Sequence, residues 1–245
     1  MWFTKCCHET VEIGNQLCHA AISAMSAHGH ERIHHNDRVK KVEGASQWTR
    51  TEDAVLMAIG LVGPTREDLS AAGKACVWAA VQELCSGLPG EYSGDISYGP
   101  TGAPEWTRIG AGAQIFISIS HTSPVAVGVA SWNPIGVDIE RSHRDVRRLL
   151  RALTAEECDL IPRWSAIDIL CAKEAAGKAQ RVGLAGSIKR WIVSEYRESL
   201  RVTDSYLSTS GNAFAYTAEV LKRSIGGDDF TCVLASPQYP TPTHG

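Results

Sequence analysis

Helical and strand periodicities follow one another in the same order twice along this chain, which limits its architecture more than any other feature. Glu67–Cys85 carries apolar residues at helical spacing and is closed by Ser86-Gly87 and Pro89. Residues 94–104, with Gly99-Pro100 and Gly102, are turn-rich. Gln114–Ser120 then alternates, with Ile115, Ile117 and Ile119 on one face, and Val125–Trp132 reads as a second strand. His121-Thr122-Ser123-Pro124 joins the two as a hairpin. After the turn at Asn133-Pro134 a short strand, Ile135–Glu140, begins the second round. Helix is expected over His143–Leu153, again from a capping box at Thr154 and Glu157, and over Ala166–Val182. Strands are expected at Ser187–Val193, Leu200–Thr203, Ala213–Leu221 and Phe230–Ala235. The pattern predicts an α+β protein in two similar halves, 51–134 and 135–236, with the break near Pro134.

Residues 1–50 do not share this regularity. Cys6, Cys7, His8, Cys18, His19, His28, His30, His34 and His35 crowd there, but as adjacent pairs without the two spaced pairs of a zinc site. The segment reads as a poorly ordered extension with a short helix near Thr10–Met25, and 237–245 as a proline-containing tail. With 24 basic against 27 acidic residues the chain lacks the basic excess of a general nucleic-acid binder. It also lacks any run approaching the ~20 apolar residues that cross a bilayer. His8, Glu9, Glu12 and Asn15 stand where a secretory signal needs an apolar run, so a cytoplasmic location is expected. The 8 cysteines are spread too thinly for a disulfide framework and are expected to be reduced.

Chemistry concentrates in two segments. In Gly136-Val137-Asp138-Ile139-Glu140 the strand period puts Asp138 and Glu140 on one face and Val137 and Ile139 on the other. Two adjacent carboxylates need a positive partner, for which Mg²⁺ is one answer and solvent on an open strand face is another. In Ala172-Lys173-Glu174-Ala175-Ala176-Gly177-Lys178-Ala179, Glu174 and Lys178 share a helix face. Such pairs usually decorate exposed helices, but this helix is apolar almost all round, which predicts burial.

Taken in order, Phe116-Ile-Ser-Ile-Ser-His121-Thr122, Ile135-Gly-Val-Asp-Ile-Glu140 and Lys173-Glu174-Ala175-x-x-Lys178 resemble the motifs of the 4′-phosphopantetheinyl transferases of the larger, two-halved Sfp type. The resemblance spans residues 66–236. It implies a pseudo-dimer of two similar α/β subdomains, monomeric, with the active site in the cleft between them. It further implies transfer of 4′-phosphopantetheine from coenzyme A to a serine of an apo acyl or peptidyl carrier protein, releasing 3′,5′-ADP. In these terms Asp138, Glu140 and Glu174 would bind Mg²⁺. Glu174, or a water it orients, would take the serine proton, Lys178 would neutralise the phosphate, and Ser120 and His121 would hold phosphates of coenzyme A.

Three features depart from the family pattern. Leu170 stands where Trp or Phe is usual, Ala103 stands where many members have Lys, and the gap from Asp138 to Glu174 is also shorter than typical. They leave open a second reading, a non-catalytic homologue that binds coenzyme A or a carrier protein. A third, independent of the resemblance, is a Mg²⁺-dependent phosphotransferase of another kind. Finally, Arg144, Arg147, Arg148 and Arg151 follow helical spacing, and as one basic face they would suit an acidic carrier protein.

Overall fold

The computed structural model describes residues 46–238 apart from 52, 61, 64, 87, 89–93, 109–112, 148–149, 185–186 and 208–213. The expected helix near Thr10–Met25, the Cys/His segment, most of the tail and Arg148 therefore lie outside the described residues.

Among the described residues two larger antiparallel sheets are each covered by one long helix, and a two-stranded hairpin lies beside the first. The first sheet has the order β1-β2-β6-β5, from β1 (Ser46–Arg50), β2 (Ala54–Ile59), β5 (Phe116–Thr122) and β6 (Val125–Ser131). The second is β7-β11-β10-β9-β8, from β7 (Gly136–Arg141), β8 (Trp191–Tyr196), β9 (Ser199–Asp204), β10 (Ala215–Ile225) and β11 (Asp228–Pro237). Helix α1 (Arg66–Leu84) lies on the first sheet and α3 (Ala166–Ala179) on the second; a single turn, α2 (Ala155–Cys158), precedes α3. All three α-helices among the described residues open with a reciprocal capping box, on Thr65/Asp68, Thr154/Glu157 and Ser165/Asp168, which satisfies backbone N–H groups that have no partner inside the helix. The chain changes sheets between Ser131 and Gly136, at the expected break.

Strand periodicity sorts the core into layers. On β6, Val125, Val127 and Val129 face the second sheet. On β7 and β11, Val137, Ile139, Phe230 and Cys232 face back, so one apolar cluster is shared by both sheets. The opposite faces meet the helices. Val55 and Ala130 pack with Val77 and Val81 of α1, and Val233 and Ala235 pack with Ile169 and Ala172 of α3. The order of layers is helix, sheet, sheet, helix. A Cβ at Gly136 would stand 1.9 Å from the carbonyl oxygen of Ala175, and one at Gly128 would stand 2.5 Å from the Val77 nitrogen. Each sheet thus lets its helix approach through one glycine.

Several expectations change. Ser46–Arg50 pairs with β2, so the boundary drawn at residue 50 moves N-terminally within the described chain. The turn-rich stretch is the end of a hairpin, β3 (Gly94–Tyr98) with β4 (Pro104–Arg108). The hairpin after Ser120 is tighter than expected, because β5 runs on to Thr122. The expected helix over His143–Leu153 is replaced, among the described residues, by a turn and a short 3-10 segment at Leu150–Ala152. Asp145 explains part of this, since its carboxylate accepts the Arg147 backbone N–H, a local bond that competes with helix formation. Arg144, Arg147 and Arg151 therefore do not form a helical stripe.

Candidate functional site

Strand β5 and strand β7 are the edges at which the two sheets adjoin, and hydroxyls bridge them. Ser118 Oγ accepts the Val137 N–H at 3.1 Å, and Ser120 Oγ accepts the Ile139 N–H at 3.3 Å. One step further, Thr122 Oγ1 donates to Glu140 Oε1 at 2.8 Å. Three hydroxyls at a period of two thus lie along one side of β5 and join the second sheet through side chains.

The same seam holds the charged cluster. Ser120 Oγ donates to Asp138 Oδ1 at 2.8 Å and accepts from Lys178 Nζ at 3.0 Å. Lys178 Nζ also donates to Asp138 Oδ1 at 2.8 Å and lies 3.5 Å from Glu174 Oε1. Asp138 comes from β7, Ser120 from β5, and Glu174 and Lys178 from one face of α3, which crosses β7 at Gly136. The residues of three separate motifs therefore meet around one ammonium group.

Electrostatics follow from this crowding. Burial, the nearby charge of Asp138 and, less, that of Glu140 hold the Glu174 carboxyl above its ordinary value, with Lys178 opposing them. Burial alone would lower Lys178. The charges and hydrogen bonds of Asp138 and Glu174 outweigh it, and the ammonium is held above its ordinary value. Glu174 is 44% exposed and Lys178 is 23% exposed, so both groups reach solvent from a helix whose other residues are all buried. A cavity of about 60 Å³ adjoins Lys178, walled by Trp106, Phe116, Ile135 and Arg181. The Arg181–Glu105 ion pair at 2.5 Å ties β4 to the end of α3 beside it.

Glu140 is held differently. Its Oε1 accepts Thr122 Oγ1 and, at 3.0 Å, the backbone N–H of Arg141, while Oε2 takes the Arg144 guanidinium. Mg²⁺ takes oxygen ligands, and Asp138, Glu140 and Glu174 supply that chemistry. Among the described residues no three His, Cys, Asp or Glu side chains are placed as a group that could hold a metal. The geometry shows why: Asp138 and Glu174 turn to Lys178, and Glu140 turns to Arg144.

Of the residues singled out from the sequence, Ser120, Asp138, Glu174 and Lys178 come together, and Glu140 lies beside them through Thr122. His121 does not join them. It is exposed and alternates with buried Ser120, on the side of β5 that carries Ile117 and Ile119. The contacts of Thr122 and Arg144 with Glu140 are what sequence reasoning misses, since it places Arg144 only on a helical basic face. Thr122 is detectable from its period-two relation to Ser120, whereas Arg144 depends on a turn. Lys173, next to Glu174, has no part in the cluster. It is fully buried and paired with equally buried Glu157 at 2.6 Å, which also accepts the Val193 N–H and so fastens α3 to β8.

No family model matches the chain, and no curated protein matches it. Among the described residues no helix is long and apolar enough to cross a membrane.

Proposed function

We propose that this chain transfers the 4′-phosphopantetheine group of coenzyme A to a serine hydroxyl of an apo carrier protein, with Mg²⁺. The observation that carries the reading is the meeting of Ser120, Asp138, Glu174 and Lys178, drawn from distant motifs, at the β5–β7–α3 seam. The two helix-covered sheets are then the halves of a pseudo-dimer, with the reaction in the cleft between them. Asp138, Glu140 and Glu174 would hold the Mg²⁺, which supplies charge neutralisation on the pyrophosphate.

The remaining work falls to the chain's own side chains. Glu174, with its raised proton affinity and access to solvent, accepts the proton of the attacking serine. The serine oxygen bonds to the phosphorus that bears pantetheine, and the bond from that phosphorus to the 3′,5′-ADP oxygen breaks. Lys178, kept charged by Asp138, stabilises the negative phosphoryl oxygens during transfer. His121 and Ser120 are the candidates for contact with coenzyme A phosphates. Arg147, exposed and joined only to neighbouring Asp145 among the ion pairs described, belongs with Arg144, Arg148 and Arg151 to the basic segment offered to an acidic carrier.

Intact-mass measurement of apo carrier proteins incubated with the protein, coenzyme A and Mg²⁺ tests the reaction. The expected outcome is a gain of one phosphopantetheine, abolished by Glu174→Ala. Coenzyme A binding without any gain, across fatty-acid, polyketide and peptide carriers, would favour the non-catalytic homologue. In the same assay Arg147→Glu should raise the apparent KM for carrier and leave that for coenzyme A unchanged. An unchanged carrier KM would remove Arg147 from the docking surface.

A further inference from the structure

Lys173 precedes Glu174 in the chain and stays out of the charged cluster, yet it is fully buried. Its ammonium meets the equally buried Glu157 carboxylate at 2.6 Å. Both oxygens of Glu157 are committed. Oε2 takes Lys173 and, at 2.9 Å, the Thr154 N–H, while Oε1 accepts the Val193 N–H at 2.8 Å. Three elements, α2, α3 and β8, thus close on one carboxylate. Taking two charges out of water is costly, and apolar residues of similar volume often serve stability as well or better. Stability is therefore a weak reason for such a pair. What it supplies is a directed bond at a place where apolar side chains could slide. Helix α2 fits that role, because a single turn is too short to be stable by itself and its capping box also holds the Glu157 side chain.

The second sheet gives the scale on which this bond acts. Strands β7 and β8 are its two edges, and α3 packs against both. At the β7 edge the helix is held by Lys178 on Asp138 and by the close approach at Gly136; at the β8 edge it is held by Lys173 on Glu157. Consecutive helix residues point about 100° apart, so holding Lys173 toward β8 sets the direction in which Glu174 leaves the helix. Lys178 leaves it about 40° beyond Glu174 by the same period. Any rotation of α3 would carry both side chains away from Asp138, which belongs to the sheet.

We propose that Lys173 is a positioning residue, whose buried bond to Glu157 fixes the rotation of α3 and so aims Glu174 and Lys178 at Asp138. The inference rests on the reading of that cluster as the reacting site. Lys173→Met alone would strand the Glu157 charge, so Glu157→Gln is combined with it; the glutamine oxygen can still accept the Val193 N–H. The folded double variant should lose about a hundredfold in kcat, the scale of a misplacement of about 1 Å, with the KM for carrier unchanged. Glu157→Asp keeps both charges and draws the pair in by one methylene, so its kcat should fall by a smaller factor. An unchanged kcat per folded molecule in the double variant, or in Glu157→Asp where the double variant does not fold, would reduce the pair to a structural link and overturn the inference. The NMR shift of the Lys178 ε-carbon at fixed pH reads the cluster without turnover and should move toward that of a solvated lysine in the folded variant. An unmoved shift would overturn the inference as well. Wild type that transfers nothing to any carrier would overturn the proposed function, and the Lys178 shift would still decide whether Lys173 positions the cluster.

Discussion

Glu174 and Lys178 show how one lysine can serve two carboxylates unequally. Asp138 accepts directly from Nζ at 2.8 Å, whereas Glu174 lies at 3.5 Å, closer to solvent and with Asp138 as a repelling neighbour. The environment therefore favours a proton on Glu174 relative to an unfolded chain. A carboxyl with a raised folded pKa makes the folded state bind more protons, so its cost to stability is absent in acid and appears as pH rises through the window above the ordinary carboxylate range. Glu174→Gln should accordingly raise the Tm near neutral pH and give no gain in acid below that window. A pH-independent difference would mean that the carboxylate is not strained by its surroundings.

At the scale of elements, the site depends on how closely α3 approaches β7. With a methyl at Gly136 meeting the Ala175 carbonyl at 1.9 Å and the Ala179 nitrogen at 2.5 Å, the helix must move away from the strand. Gly136→Ala should cost about 1–3 kcal/mol by overpacking and also pull Lys178 from Asp138. Gly128→Ala makes the comparable collision under α1, against the Val77 nitrogen at 2.5 Å, on the face of the first sheet opposite to the one from which Ser120 reaches Asp138. Both variants should lose several degrees of Tm, while only Gly136→Ala should lose phosphopantetheine transfer per folded molecule. Equal transfer by the two would show that the α3–β7 distance does not govern the site. Much of this arrangement is legible in the sequence. The period-two face of Asp138 and Glu140, the burial of the Glu174 helix and the sheet change near Pro134 all follow from local pattern. Local pattern fails in the segment after β7, where arginines at helical spacing yield to a turn held by Arg141 and Asp228, partners far apart in sequence. The β3–β4 hairpin escapes it for a related reason. Its glycines and prolines mark the turn plainly, but its strands are only five residues each and Trp106 is the one buried position of the pair among the described residues.

For the molecule as a whole, the decisive fact is that the two sheets share an apolar cluster in addition to the one each closes with its own helix. Leu56, Val125, Val127 and Val129 of the first sheet bury themselves against Val137, Ile139, Phe230 and Cys232 of the second. Neither sheet can leave without exposing this surface on the other, and the Ser118 and Ser120 bridges would be lost with it. Unfolding should therefore be one cooperative event despite the two-part sequence pattern. Phe230 is fully buried at the centre of that contact, so Phe230→Ala should remove about 3–5 kcal/mol. The loss should reach both sheets alike. Hydrogen exchange in β6 and β11 should accelerate by the same factor, and fluorescence reporting Trp106 and Trp191 should change at one denaturant midpoint. Acceleration confined to β11 would show two independently stable halves, and the site at their seam would then have to assemble by docking. Coincident exchange makes the seam, with the ammonium and three hydroxyls that line it, part of the folded core from the outset.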